Sequence, residues 1–151
     1  MRILVAHGGT AEKIKYSQIF DKFGIVDFFD NGRDAVVSFV NGFQTGNFYN
    51  LLVIENDLKQ LDGVETVLMI RKYELEHLAS YKKVIIVFSS EDQCCKSSYE
   101  ARQGADDRII FHNNPISLTS LVCIAENIAG VRSMKNLPGL TRYRRPVNTF
   151  A

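Results

Sequence analysis

Short apolar runs alternate with helix-periodic segments along the chain, in the order strand then helix, five times over. Residues 3–6 (Ile-Leu-Val-Ala) form the first run, and Thr10 is placed to cap a helix whose apolar positions Tyr16, Ile19, Phe20 and Phe23 share one face before Gly24 stops it. A second strand is expected over residues 25–29. After the Asp30-Asn31-Gly32 turn, Ala35, Val36, Phe39, Val40 and Phe43 trace a single helical stripe. Residues 51–54 are a third strand, which empties Glu55, Asn56 and Asp57 onto a loop before Asp62-Gly63. A long helix follows, with Val64, Val67, Leu68, Leu75 and Leu78 expected to line its buried side and Arg71, Lys72, Glu74 and Glu76 to face water. The fourth strand, residues 84–88, has no polar position and suits the middle of a parallel sheet covered on both faces. A weaker helix over 92–103 stops at Gly104, a fifth strand covers 108–111, and a last helix over 116–129 carries Leu118, Leu121, Val122, Ala125 and Ile128 on one side before Gly130.

Five strand–helix units with short connections require right-handed crossovers, and so an α/β, doubly wound parallel sheet with helices on both faces. The flavodoxin-like strand order 2-1-3-4-5 fits the count of elements, and its crevice lies at the carboxyl ends of strands one and three. His7, Gly8 and Glu55 would meet there.

A chain of 151 residues is close to one domain and can bury one core. The formal charge of +1 gives no overall attraction to nucleic acid, but its distribution is uneven. Residues 131–151 hold Arg132, Lys135, Arg142, Arg144 and Arg145 and no carboxylate side chain, which divides the chain into a domain over 1–130 and a basic tail over 131–151. Three open readings of the tail are a solvated segment, packing on its own domain or a second subunit through Leu137, Leu140, Tyr143 or Phe150, and attraction to an acidic partner or nucleic acid. Cys94, Cys95 and Cys123 make no disulfide framework, and neither a signal segment nor a membrane span is present, so a cytoplasmic setting is expected. Two neighbouring thiols with His112 do not make a tetrahedral metal set.

From Arg2 to Gly130 the chain resembles the receiver domain of two-component response regulators, the chemotaxis-regulator fold. The resemblance rests on Ile3-Leu4-Val5, on Asn31-Gly32 with Ala35, on residues 49–54 leading to Glu55, on Asp62-Gly63, on residues 84–90 ending in Ser89-Ser90, and on residues 104–107 before the fifth strand. It implies a phosphorelay signalling domain with a phospho-acceptor aspartate, a Mg²⁺ bound by that aspartate and by an acidic pair after strand one, a hydroxyl after strand four, and a lysine followed by proline after strand five. This chain departs at most of these places. His7-Gly8 replaces the acidic pair, Glu55 replaces the acceptor aspartate and carries its carboxylate about 1.5 Å farther from the backbone, and the lysine position falls on Phe111-His112 by straight count or on Asn114-Pro115 with a three-residue insertion. Only Ser89 matches.

The expectation is therefore a stand-alone pseudo-receiver with no output domain, no enzymatic activity, no cofactor and a lost Mg²⁺ site, acting through protein–protein contact. The resemblance places such contacts on helix four, strand five and helix five, where Arg102, Asp106, Asp107 and Arg108 are candidates for salt bridges across a homodimer or with another signalling partner. Nucleic acid and membrane are not expected as partners. His7 as an imidazolium paired with Glu55 is set against a locally bonded loop histidine, and Glu55 as a permanent stand-in for the charged acceptor against a solvated carboxylate. Two other functions stay open. One is a receiver still phosphorylated on Asp57 or Glu55. The other is a flavodoxin-like binder using the His7-Gly8-Gly9-Thr10 turn as a cradle for a phosphorylated small ligand.

Overall fold

A computed structural model describes residues 1–77, 83–113 and 116–130. Five parallel strands, β1 (Arg2–Ala6), β2 (Ile25–Phe29), β3 (Leu51–Glu55), β4 (Ile85–Ser90) and β5 (Ile109–Asn113), form one sheet in the order β2-β1-β3-β4-β5. The helices between and after them are α1 (Thr10–Phe20, extended by a 3-10 turn), α2 (Gly32–Gln44), α3 (Gly63–His77), α4 (Cys94–Gln103) and α5 (Leu118–Ile128). This is the doubly wound α/β architecture expected from the alternation of elements.

Side-chain alternation along the strands builds two cores, one on each face of the sheet. Leu4, Leu52, Ile54, Ile86 and Phe88 face α2, α3 and α4, packing on Phe39, Val67, Ile70 and Tyr99. Ile3, Val5, Leu51, Val53 and Val87 face α1 and α5, packing on Tyr16, Phe20, Leu121 and Ile124. No helix among the described residues is long and apolar enough to cross a membrane.

Local departures from the sequence reading have physical causes. Thr10 does not cap α1; it is the first helical residue, and Gly9 holds the cap position without a side-chain bond. Asn31 does cap α2, its Oδ1 accepting the amide of Asp34 at 2.8 Å. The phase of α3 differs from the expected one. Leu75 is 78% exposed, whereas Arg71 and Glu74 are 2% and 3% exposed. The buried stripe runs Val64, Val67, Ile70, Arg71 and Glu74. A charged pair can occupy it because every polar atom finds a partner: Arg71 donates to Glu74 at 2.7 Å, to Asp106 at 2.7 Å and to the Val84 carbonyl at 2.9 Å, while Glu74 accepts the Val84 amide at 2.7 Å.

The carboxyl ends of the strands also shift. β3 runs on to Glu55, β4 to Ser90 and β5 to Asn113. Asn114, Pro115, Leu78 and the basic tail from 131 to 151, with Arg132, Lys135, Arg142, Arg144 and Arg145, lie outside the described residues.

Candidate functional site

Strand register sets the site. Ala6 pairs with Ile54, Glu55 with Ser89, and Ser89 with His112, so the last residue of β3 and the next-to-last residues of β4 and β5 stand in one row, with His7 one step beyond β1. Opposed residues of parallel strands project to the same face, so this row looks toward α1 and α5. His7, Gly8, Glu55 and Ser89 are brought together as the topology requires. Asp57 is exposed on the following loop, outside the row.

His7 Nε2 lies 2.9 Å from Glu55 Oε2, with both side chains mostly buried. The amide of Gly8 reaches the same oxygen at 3.4 Å. On the other side of the ring, the amide of Gly9 donates to Nδ1 at 2.8 Å. In this arrangement Nδ1 is the acceptor and Nε2 faces the carboxylate as donor. The expected contact between His7 and Glu55 is present. Gly9 suits this place because a Cβ there would crowd the Glu12 carboxylate and lie 3.1 Å from the His7 ring. Gly63 plays the equivalent part beneath the β3 loop, where a Cβ would lie 2.6 Å from both Asn56 Cα and the Glu55 carbonyl oxygen.

Burial raises the pKa of the Glu55 carboxyl above its ordinary value; Asp57 and Glu12 push the same way, against His7 and the Gly8 amide. Tyr16, edge-on to His7 at 5.9 Å, has its hydroxyl pushed up to about 12 by burial, with Glu55 and Glu12 adding to it. A cavity of about 460 Å³ opens over this part of the row, with Glu12, Lys15 and Tyr16 of α1, Glu91 after β4 and Leu118 of α5 among its walls. Glu12 and Glu91 were not singled out from the sequence, and Tyr16 was expected only on the apolar face of its helix. The positions of Glu12 at a helix start and Glu91 after a strand end, around the predicted crevice, were the signal that could have found them.

At the far end of the row, burial lowers the pKa of His112, and its Nε2 is buried without a partner among the described residues. Phe111 and His112 both lie inside β5, so the straight count does not put them after the strand. Phe111 packs against Phe88 at 5.5 Å and Tyr99 at 6.0 Å.

The four residues proposed for an interaction surface do not behave alike. Asp106 is committed within the chain: its Oδ2 accepts from Arg71 at 2.7 Å and from Tyr99 at 3.0 Å, and its Oδ1 accepts the Arg108 amide at 2.9 Å. With its side chain 2% exposed, it is not available for a bridge across subunits. Arg102 pairs with Glu65 of α3, Arg108 reaches the Lys83 carbonyl at 3.3 Å, and Asp107 is exposed.

No family model matches the sequence, and no curated protein matches it. Solved structures do match. A chain from the co-crystal structure of a Saccharomyces cerevisiae histidine phosphotransfer protein and the receiver domain of its downstream response regulator is 19% identical, with a TM-score of 0.66, covering 90% of this chain and 93% of that one. A chain from the CheX–CheY complex of Borrelia burgdorferi with beryllofluoride and Mg²⁺ is 13% identical, with a TM-score of 0.65 and coverages of 85% and 89%. A CheY-like receiver protein from Methanospirillum hungatei is 19% identical, with a TM-score of 0.62 and coverages of 86% and 94%. The chain has the fold of a receiver domain.

Proposed function

We propose that this protein is a receiver-fold signalling domain of a two-component pathway that works in the cytoplasm without phosphoryl transfer and acts by binding a protein partner rather than as an enzyme. The observation that carries this reading is the 2.9 Å contact between His7 and Glu55. We read this imidazole N–H as standing in for the dication that receivers of the ordinary kind hold against the acceptor carboxylate. Mg²⁺ demands near-octahedral oxygen ligands. The donor set here does not fit: His7 offers nitrogen, Gly8 offers no side chain, and Glu55 Oε2 already accepts two hydrogen bonds.

Glu55 supplies one charge and two oxygens, against the roughly two charges and three oxygens of a phosphoryl group, so it holds the site in one arrangement rather than copying the phosphorylated one. Partner binding is supported by the company this fold keeps, since two of the similar structures are complexes of signalling proteins. A receiver still phosphorylated at Asp57 is disfavoured by that residue's place outside the row, and a binder of a phosphorylated ligand by the carboxylates Glu12, Glu55 and Glu91 lining the cavity.

The test adds beryllofluoride with Mg²⁺ to the full chain and follows the amides of Glu55, Asp57, Leu58 and Ser89 by NMR. No saturable shift is expected. Saturable shifts at these amides overturn the reading.

A further inference from the structure

The turn from β1 into α1 is tied down through one histidine. The backbone amide of His7 donates to the Phe29 carbonyl at 2.9 Å and anchors the end of β1 to β2. The next two amides are held by side chains: Gly8 by Glu55 Oε2 at 3.4 Å, and Gly9 by His7 Nδ1 at 2.8 Å. Gly9 is also the cap residue of α1, in extended backbone and with no side-chain cap bond, and its carbonyl accepts the amide of Lys13 at 3.3 Å. His7 Nδ1 therefore fixes the residue from which α1 starts.

An imidazole nitrogen accepts a hydrogen bond only while it carries no proton. A proton on Nδ1 would set one N–H against another across this 2.8 Å contact and leave the Gly9 amide without its acceptor. The other end of the ring behaves differently. Nε2 donates to Glu55 in either ring state, and more strongly when the ring is charged. Protonation thus keeps the ring on β3 and releases the turn. Tyr16, edge-on at 5.9 Å, limits the ring's freedom to escape by rotating, whereas a Cβ on Gly8 would meet nothing within 4 Å, so the turn has open space beside it.

We propose that His7 is a proton-operated latch on the amino end of α1: a proton on Nδ1 releases the Gly9 amide while Nε2 stays on Glu55, and the Gly8-Gly9 turn moves with the first turn of α1. Glu12, Lys15 and Tyr16 ride on that helix and wall the cavity, so the proton is read out as a change in the shape of the crevice. The latch goes beyond the function proposed above and does not depend on it, since its contacts are the same whether or not phosphoryl transfer has been lost.

Several charged groups surround the ring. Glu55 faces it from β3, Glu12 and Lys15 from α1, and Glu91 from the end of β4, while α5 presents Leu118 and the residue two before it is the uncharged Ile116. Asp57 acts on Glu55 from the following loop. Beyond β2, Asp30 is exposed with Lys13 and Lys59 around it. Glu55 takes up a proton as well, its carboxyl pKa being raised by burial, but it holds the Gly8 amide rather than that of Gly9. The Gly9 amide is therefore the specific reporter of the ring.

The test titrates the full chain from neutral to acidic pH and follows the His7 ring nitrogens, the Glu55 carboxyl carbon and the backbone amides by NMR. As Nδ1 gains its proton, the Gly9 amide proton should shift upfield with the same inflection, and the amides of Thr10 and Glu12 should move with it. In His7→Gln that inflection should vanish, and in Glu55→Gln it should remain. The amides of Val5 and Val53, within the strands, should stay in place throughout. The inference is overturned if the Gly9 amide is flat while Nδ1 titrates, if its inflection survives His7→Gln, if it is lost in Glu55→Gln, or if the strand amides move with it, which would mean unfolding rather than release of a latch.

Discussion

The amide of Gly9 donates a 2.8 Å hydrogen bond to Nδ1 of His7, and this one contact sets what the histidine can be for Glu55. With Nδ1 occupied as an acceptor, Nε2 carries the hydrogen that faces the carboxylate at 2.9 Å. Imidazole ¹⁵N spectra should therefore show the Nε2–H tautomer in the wild type. A spectrum of the Nδ1–H tautomer would contradict this.

Glu55 gives the fold a pH dependence with a defined sign. Its carboxyl pKa is raised in the folded state, chiefly by burial, so the native chain binds this proton more tightly than the unfolded chain. The stability it contributes is fully present below the ordinary glutamate value and is lost as pH rises through the raised one. Urea unfolding across that window should show wild type losing stability relative to Glu55→Gln as pH increases. A difference of the opposite sign would refute the assignment.

Arg71 is the buried charge whose loss costs most. Removing it strands Glu74 and Asp106 without their shared cation, and Arg71→Met should cost about 3–5 kcal/mol in chemical unfolding. Asp106→Asn should cost much less in the Arg71→Met background than in wild type, because the two act as one cluster. Asp106 has the opposite pH behaviour to Glu55. Burial alone would raise its pKa, but the charge of Arg71 and the Arg108 amide more than offset that and lower it. Its contribution is present above the ordinary aspartate value and lost as pH falls through the lowered one.

The phase of α3 can be tested by two substitutions on the same helix. Leu75→Gln, at a position 78% exposed, should change stability by no more than about 0.5 kcal/mol. Ile70→Ala, at a fully buried position, should cost about 2–5 kcal/mol. Comparable costs at the two positions would return the helix to the phase expected from sequence.

Gly63→Ala probes the loop under the site. Its new Cβ would meet backbone atoms of Glu55 and Asn56 rather than a flexible side chain, so about 1–3 kcal/mol of destabilisation is expected. The same variant should disturb the NMR signals of Glu55 and Asn56 more than those of β5.

Much of this was legible in the sequence because strand runs and helix stripes report burial directly. Residues 3–6, 51–54 and 84–88 had no alternative to the sheet, and once its order was fixed, His7 and Glu55 had to approach each other. What stayed hidden depended on polar partners rather than on periodicity. Arg71 and Glu74 looked like a solvated run because a buried ion cluster is visible only when the Asp106 loop and the start of β4 are in place around it. The helix phase through Val64, Val67 and Ile70 already pointed to them. The orientation of the His7 ring depends on the Gly9 main-chain amide, which no residue-type pattern encodes. The true end of β5 was missed because Arg108 and His112, polar at both margins of the run, blurred where pairing begins and stops.

The Tyr99 hydroxyl of α4 donates to a carboxylate oxygen that also holds Arg71 of α3. Swinging α4 away from the sheet would strip a water-excluded acid of one of its donors, at a cost of about 1–3 kcal/mol before any apolar surface is exposed. Mechanically, α4 belongs to the chassis of this protein, and a displacement meant to carry a signal would find less resistance elsewhere in the molecule.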